Sequence, residues 1–185
     1  MAKRQLLGRV YGMKTNRGIA LLQIVTVGTQ GDLHLMRVCD GFLQDGYTKE
    51  DIENIINRKE RFFMPSCLGF TKRHSLYKEF FVFDEVFDVP ETVEYPTHLR
   101  CWFPITRWFK GEIVECKIHW FYRKVNNYYW TGVKPEEVTE EFLNLSPAES
   151  WSFPHLQWFL ENDKHISDWY AEDKNDPILC GPKRS

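Results

Sequence analysis

At 185 residues the chain suits one domain with a sizeable core, and an aromatic share of 16% within 43% hydrophobic residues excludes a disordered polymer. The net charge of −2 excludes the uniformly basic surface of many nucleic-acid binders but is unevenly spread. Residues 1–133 carry 19 basic and 15 acidic side chains, residues 134–176 carry 3 and 11, and residues 177–185 add two cations.

The pattern predicts a strand over Leu6 to Met13, punctuated by Gly8 and Gly12, and a polar turn over Lys14 to Arg17. Gly18 to Cys39 reads as the centre of the sheet. Ile19 to Val27 is an apolar run of strand length bounded by Gly18 and Gly28, and Thr29 to Asp32 reverses the chain into an alternating partner strand. One polar residue, Gln23, interrupts the apolar run, and its amide needs partners if it is buried.

Gly41 to Tyr47 reads as a loop, and Thr48 as the cap of a helix whose Ile52, Ile55 and Ile56 form an i, i+3, i+4 stripe. That helix is expected over 48–58. Phe62 to Met64 then reads as a short strand ended by Pro65, residues 66–78 as an exposed basic loop, and Glu79 to Phe87 as an aromatic strand. Pro90 and Pro96 frame an extended segment. Arg100 to Phe109 and Glu112 to Tyr122 form a predicted hairpin around Lys110-Gly111, followed by a turn at Asn126-Asn127 and by Tyr128-Tyr129-Trp130 at the end of the sheet.

Beyond Gly132 the composition becomes acidic and helical. Lys134 to Glu137 reads as a helix start, Ser146-Pro147-Ala148-Glu149 as another, and Pro154 limits that second element to a turn or two. Further helices are expected around Leu156, Phe159 and Leu160, and around Ile166, Trp169 and Tyr170. The resulting expectation is an α+β protein: a mainly antiparallel, strongly twisted sheet with one inserted helix and a helical C-terminal segment. Its parts are a β-rich core over 1–133, an acidic helical segment over 134–176 packed on the same domain, and a loose tail over 177–185.

Catalytic signatures are missing from the sequence: it has no phosphate-loop, Gly-x-Ser-x-Gly or His-Glu-x-x-His motif. Cys116 and His119 stand three apart, a spacing that puts them on opposite faces of a strand. The five cysteines, Cys39, Cys67, Cys101, Cys116 and Cys180, include no Cys-x-x-Cys pair and read as free thiols. Neither a metal nor a cofactor is expected. Acidic pairs such as Glu136-Glu137 and Glu140-Glu141 suit a solvated helix face. Within 58–78, Arg58, Lys59, Arg61, Lys72, Arg73 and Lys78 interleave with Phe62, Phe63, Phe70 and Tyr77, a pattern that suits nucleic acid and equally suits a core edge ringed by cations. No apolar run reaches the roughly 20 residues of a membrane span, and the N-terminus lacks the apolar core of a secretion signal, so a cytoplasmic location is expected.

Gly8 to Met13, Gly18 to Val25, Phe80 to Phe83 and the proline-framed Val89-Pro90 to Tyr95-Pro96 resemble the Imm26-like immunity proteins of bacterial polymorphic toxin and contact-dependent inhibition systems. The resemblance covers residues 6–105, and Gln23 matches the glutamine of that family's apolar strand. It implies a non-enzymatic antidote that binds a cognate toxin domain, a nuclease being one candidate, and blocks its active site or substrate access. An acidic surface would speed encounter with a basic toxin. Partner contacts are then expected on Trp151, Trp158, Glu161, Asp163, Asp168, Trp169, Glu172 and Asp173, although any single one of these tryptophans better suits fixing a helix to the sheet.

Overall fold

The computed structural model describes residues 6–27, 34–65, 77–110, 112–124, 131–146 and 153–163. Side chains at 102–106, 108, 112–118 and 155 lie outside the described set. The fold is α+β, and its strands divide between two antiparallel sheets.

The first sheet grows from the apolar meander. Strands β1 (Arg9–Thr15), β2 (Gly18–Thr26) and β3 (Leu35–Leu43) pair in sequence order, and β4 (Glu60–Pro65) and β5 (Phe81–Val86) add at the two edges, giving the order β4-β3-β2-β1-β5. β1 starts later than the sequence predicts and runs through the expected polar turn, leaving Asn16-Arg17 as the reversal. β3 continues through the expected loop as far as Leu43, because Gly41, at φ +121°, lets the strand kink and keep pairing with β2.

Helix α1 (Lys49–Ile56) has the anticipated cap: the Thr48 hydroxyl accepts from the Asp51 N–H, and the Asp51 carboxylate accepts from the Thr48 N–H at 2.8 Å. The Thr48 N–H and the Thr48 hydroxyl, which donates to the same carboxylate at 2.7 Å, hold the Asp51 carboxyl below its ordinary pKa, since both favour the charged form. Its isoleucine stripe covers one face of the sheet, meeting Val10, Leu21, Cys39 and Leu43. The alternation of β2 sends Ala20, Leu22 and Ile24 to the other face, where they pack with Tyr11, Met13, Met36 and Val38 against Leu156, Phe159 and Leu160 of helix α4 (Phe153–Asn162). Pro154 sits in the first turn of α4, where a missing N–H breaks no helical bond. The sheet is therefore covered on both faces.

The second sheet joins β6 (His98–Phe109), β7 (Glu112–Lys124) and β8 (Thr131–Val133) in that order. β6 is an edge strand, which tolerates the missing donor of Pro104. Short helices α2 (Tyr77–Phe80) and α3 (Glu140–Leu143) and a 3-10 turn at Pro135–Glu137 complete the described elements; the predicted helix start at Lys134 is that 3-10 turn. Ser146 links the two sheets: its hydroxyl accepts from Phe63 N–H of β4 at 3.0 Å, and its carbonyl accepts from Arg100 N–H of β6 at 2.9 Å. The predicted elements at 66–76, 126–130, 147–152 and 164–176 lie outside the described residues. No described helix is long and apolar enough to cross a membrane.

Candidate protein-binding surface

The interior of the first sheet holds one polar device. Gln23 of β2 and Arg37 of β3 are direct cross-strand partners on the α1 side, both essentially inaccessible at 0% and 1% exposure. Arg37 Nε and Nη2 both donate to Gln23 Oε1, at 3.0 and 2.7 Å, and Nη2 also donates to the Ile56 carbonyl at 2.6 Å. Ile56 ends α1, so the guanidinium caps an otherwise unbonded carbonyl at the negative end of the helix dipole. Among the described residues no carboxylate forms an ion pair with Arg37. Its charge is held instead by oriented dipoles.

Gln23 carries this order outward. With its oxygen occupied by Arg37, its Nε2 donates to the backbone carbonyls of Phe87 and Asp88, at 3.3 and 3.1 Å. The chain just after β5 is thereby tied to the centre of the sheet. Gly8, just before β1, fixes the same segment: Phe87 N–H donates to the Gly8 carbonyl at 3.0 Å, and a Cβ on Gly8 would lie 2.2 Å from the Phe87 oxygen. At φ +77° a side chain there would also be strained.

These ties shape a cleft of about 640 Å³ between the start of β1 and the 87–95 segment. Leu7, Val25, Val89, Pro90 and Tyr95 give it apolar walls, while Asp88 and Glu91 stand exposed at its margin. Tyr95 is positioned by its hydroxyl, which donates to the Val25 carbonyl at 3.4 Å, and by its ring, stacked obliquely near Phe63. Leu7 and Tyr95 are each 49% exposed, and Val86, whose side chain adjoins Gly8, is 42% exposed. Residues 79–99 contain Glu79, Asp84, Glu85, Asp88, Glu91 and Glu94 and no lysine or arginine. Among the described ion pairs only Asp84 of this set is neutralised, by Arg9 at 3.5 Å.

No family model, curated protein or solved structure matches this chain. The geometry of the surface is thus the source of its interpretation.

Of the partner-binding residues expected from the sequence, Trp158, Glu161 and Asp163 come together at the end of α4, whereas Trp151, Asp168, Trp169, Glu172 and Asp173 lie outside the described residues. Glu161 Oε1 accepts from Asn16 N–H at 2.9 Å, and Gln157 Nε2 donates to the Lys14 carbonyl at 3.0 Å. Asp163, which ends the helix in left-handed geometry, receives both Arg17 and Arg61. These acids latch α4 onto the β1–β2 turn. Trp158 is 38% exposed. In the described part of the basic stretch, Arg61 serves Asp163 and lies over the Phe159 ring, Phe62 packs edge-on against Phe159, and Phe63 is buried. Lys72 and Arg73 lie outside the described residues.

The cleft residues escape the sequence reading because they come from three distant segments. The usable signal is the run from 79 to 99, where carboxylates alternate with apolar residues, cations are missing, and two prolines prevent continuation of the strand.

Cys39 lies beneath α1, and burial pushes its thiol up to about 11, outweighing the opposing attraction of Arg37; Glu60 adds to the rise. The unfolded thiol ionises first, so its contribution to stability is intact below about pH 9 and declines as pH rises from about 9 to about 11. Iodoacetamide at pH 8 should leave the Cys39 peptide unmodified in the native protein and label it in urea, as read by peptide mass mapping. Equal labelling in both states would contradict this placement.

Proposed function

We propose that this chain is a non-enzymatic immunity protein, a cytoplasmic antidote that binds a cognate toxin domain and occludes its active site or substrate access. The observation that carries the reading is the apolar cleft with an acidic margin, held in shape by a buried hydrogen-bond chain. Toxin domains that act on polyanions present basic surfaces, and complementary charge speeds association and rejects wrong partners. The apolar walls supply area that excludes water around such contacts. Buried Cys39 and Cys101, neither of them in a disulfide, suit a reducing compartment.

The test is co-purification of the full chain from its native host, followed by expression of the captured protein alone and together with this chain. A protein that is toxic alone and harmless in a stoichiometric complex is the expected result. Capture of no toxic partner would reject neutralisation, and a steeply salt-dependent nucleic-acid affinity would select the 58–78 region instead.

A further inference from the structure

The two edges of the first sheet are treated differently. At β4, Ser146 caps the Phe63 N–H and leads the chain across to the second sheet. At β5, no strand stands beyond the outer edge among the described residues. β5 presents Val82 and Val86, 48% and 42% exposed, with Glu85 also exposed, and it runs directly into the cleft. An open edge offers backbone donors and acceptors at strand spacing, and exposed apolar residues beside it mark a surface built for contact.

We propose that the outer edge of β5 and the adjoining cleft together take one extended, cationic segment of a partner protein, which adds as a strand and seats a lysine or arginine side chain between Asp88, Glu91 and Tyr95. Charge complementarity selects this occupant. The 79–99 segment has no lysine or arginine of its own; Arg9 pairs with Asp84 at 3.5 Å, and Lys49, whose ammonium lies over the Phe87 ring, pairs with Glu53 at 3.8 Å. The aliphatic stem of a lysine or arginine suits the Leu7, Val25 and Val89 walls, its charged end suits the two carboxylates, and the Tyr95 ring offers a face for cation–π contact. Alternate apolar residues of the added strand would meet Val82 and Val86. The surface rests on the reading of this chain as a protein binder and names the chemistry of what it binds.

A synthetic peptide alternating Lys or Arg with Val is titrated into the isotope-labelled full chain, with a Glu/Val peptide of equal length as control. The expected result is binding of the cationic peptide alone, with amide shifts concentrated in residues 81–95. Asp88→Asn with Glu91→Gln should weaken it about five- to tenfold with an unchanged amide spectrum elsewhere, since both carboxylates are exposed. Shifts centred on Glu136 to Glu141, equal binding of the control, or unchanged affinity in the double variant would overturn the proposal. So would a marked gain in affinity on removing residues 1–5, because Lys3 and Arg4 would then be the native occupant. The titration needs no toxin. A failed co-purification therefore counts against neutralisation, whereas shifts absent from 81–95 count against this surface.

Discussion

Gln23→Leu should lower the unfolding free energy by about 3–5 kcal/mol, read as a fall in urea midpoint at constant slope. The side chains are similar in size, so packing loss is small and the cost is electrostatic. Arg37 Nε would lose its acceptor and Nη2 would keep only the Ile56 carbonyl, at a site with 1% exposure. A buried cation stripped of one partner is among the most expensive single changes a fold can suffer. Arg37→Met on the Gln23→Leu background should recover part of the loss, because it takes the unpaired cation out of the interior, while the Ile56, Phe87 and Asp88 carbonyls still lack these donors. A cost under about 1 kcal/mol for Gln23→Leu, or strict additivity of the two changes, would show that the pair is not coupled.

The consequence reaches the surface. Gln23 is also the donor to the Phe87 and Asp88 carbonyls, so the rescued double variant is folded but has an untied cleft wall. Faster amide hydrogen exchange around residues 87–91 in that variant, with the β1–β3 core protected, separates the two roles of this glutamine. Gln23, the one polar interruption of the apolar run, thus links the sheet interior to the cleft.

What was legible in the sequence follows physical locality. The β1-β2-β3 meander and α1 were readable because alternation, short reversals and the Thr48–Asp51 capping box are all encoded within a few residues. The division into two sheets was not. Pro90 and Pro96 announce a break, but whether the chain rejoins the first sheet or begins another depends on pairings across the whole fold, such as Leu99 meeting Val25, Leu35 and Phe63. Arg37 lies in the alternating partner strand, and nothing local reveals that Gln23 and the end of α1 await it. The acidic helical segment was visible as charge, whereas the assignment of Glu161 and Asp163 to the β1–β2 turn required knowing that α4 returns to β1.

That return sets up a second large effect. Leu160→Ala should cost about 2–5 kcal/mol, whereas Asp163→Asn should cost no more than about 1 kcal/mol. Leu160 is fully buried with Leu156 and Phe159 against the Tyr11, Met13 and Leu22 face, so truncation leaves a cavity in the main core. The Asp163 carboxylate is 54% exposed; its contacts with Arg17 and Arg61 are in reach of solvent and salt, and they orient the helix end more than they hold it. Urea unfolding of the two variants at low and high salt decides the matter: a salt-independent loss for Leu160→Ala and a small, salt-sensitive one for Asp163→Asn are expected. A larger loss for Asp163→Asn would make the ion pairs the principal tether. On the expected ordering, α4 is a core helix whose acids are committed to the β1–β2 turn and to Arg61 of β4.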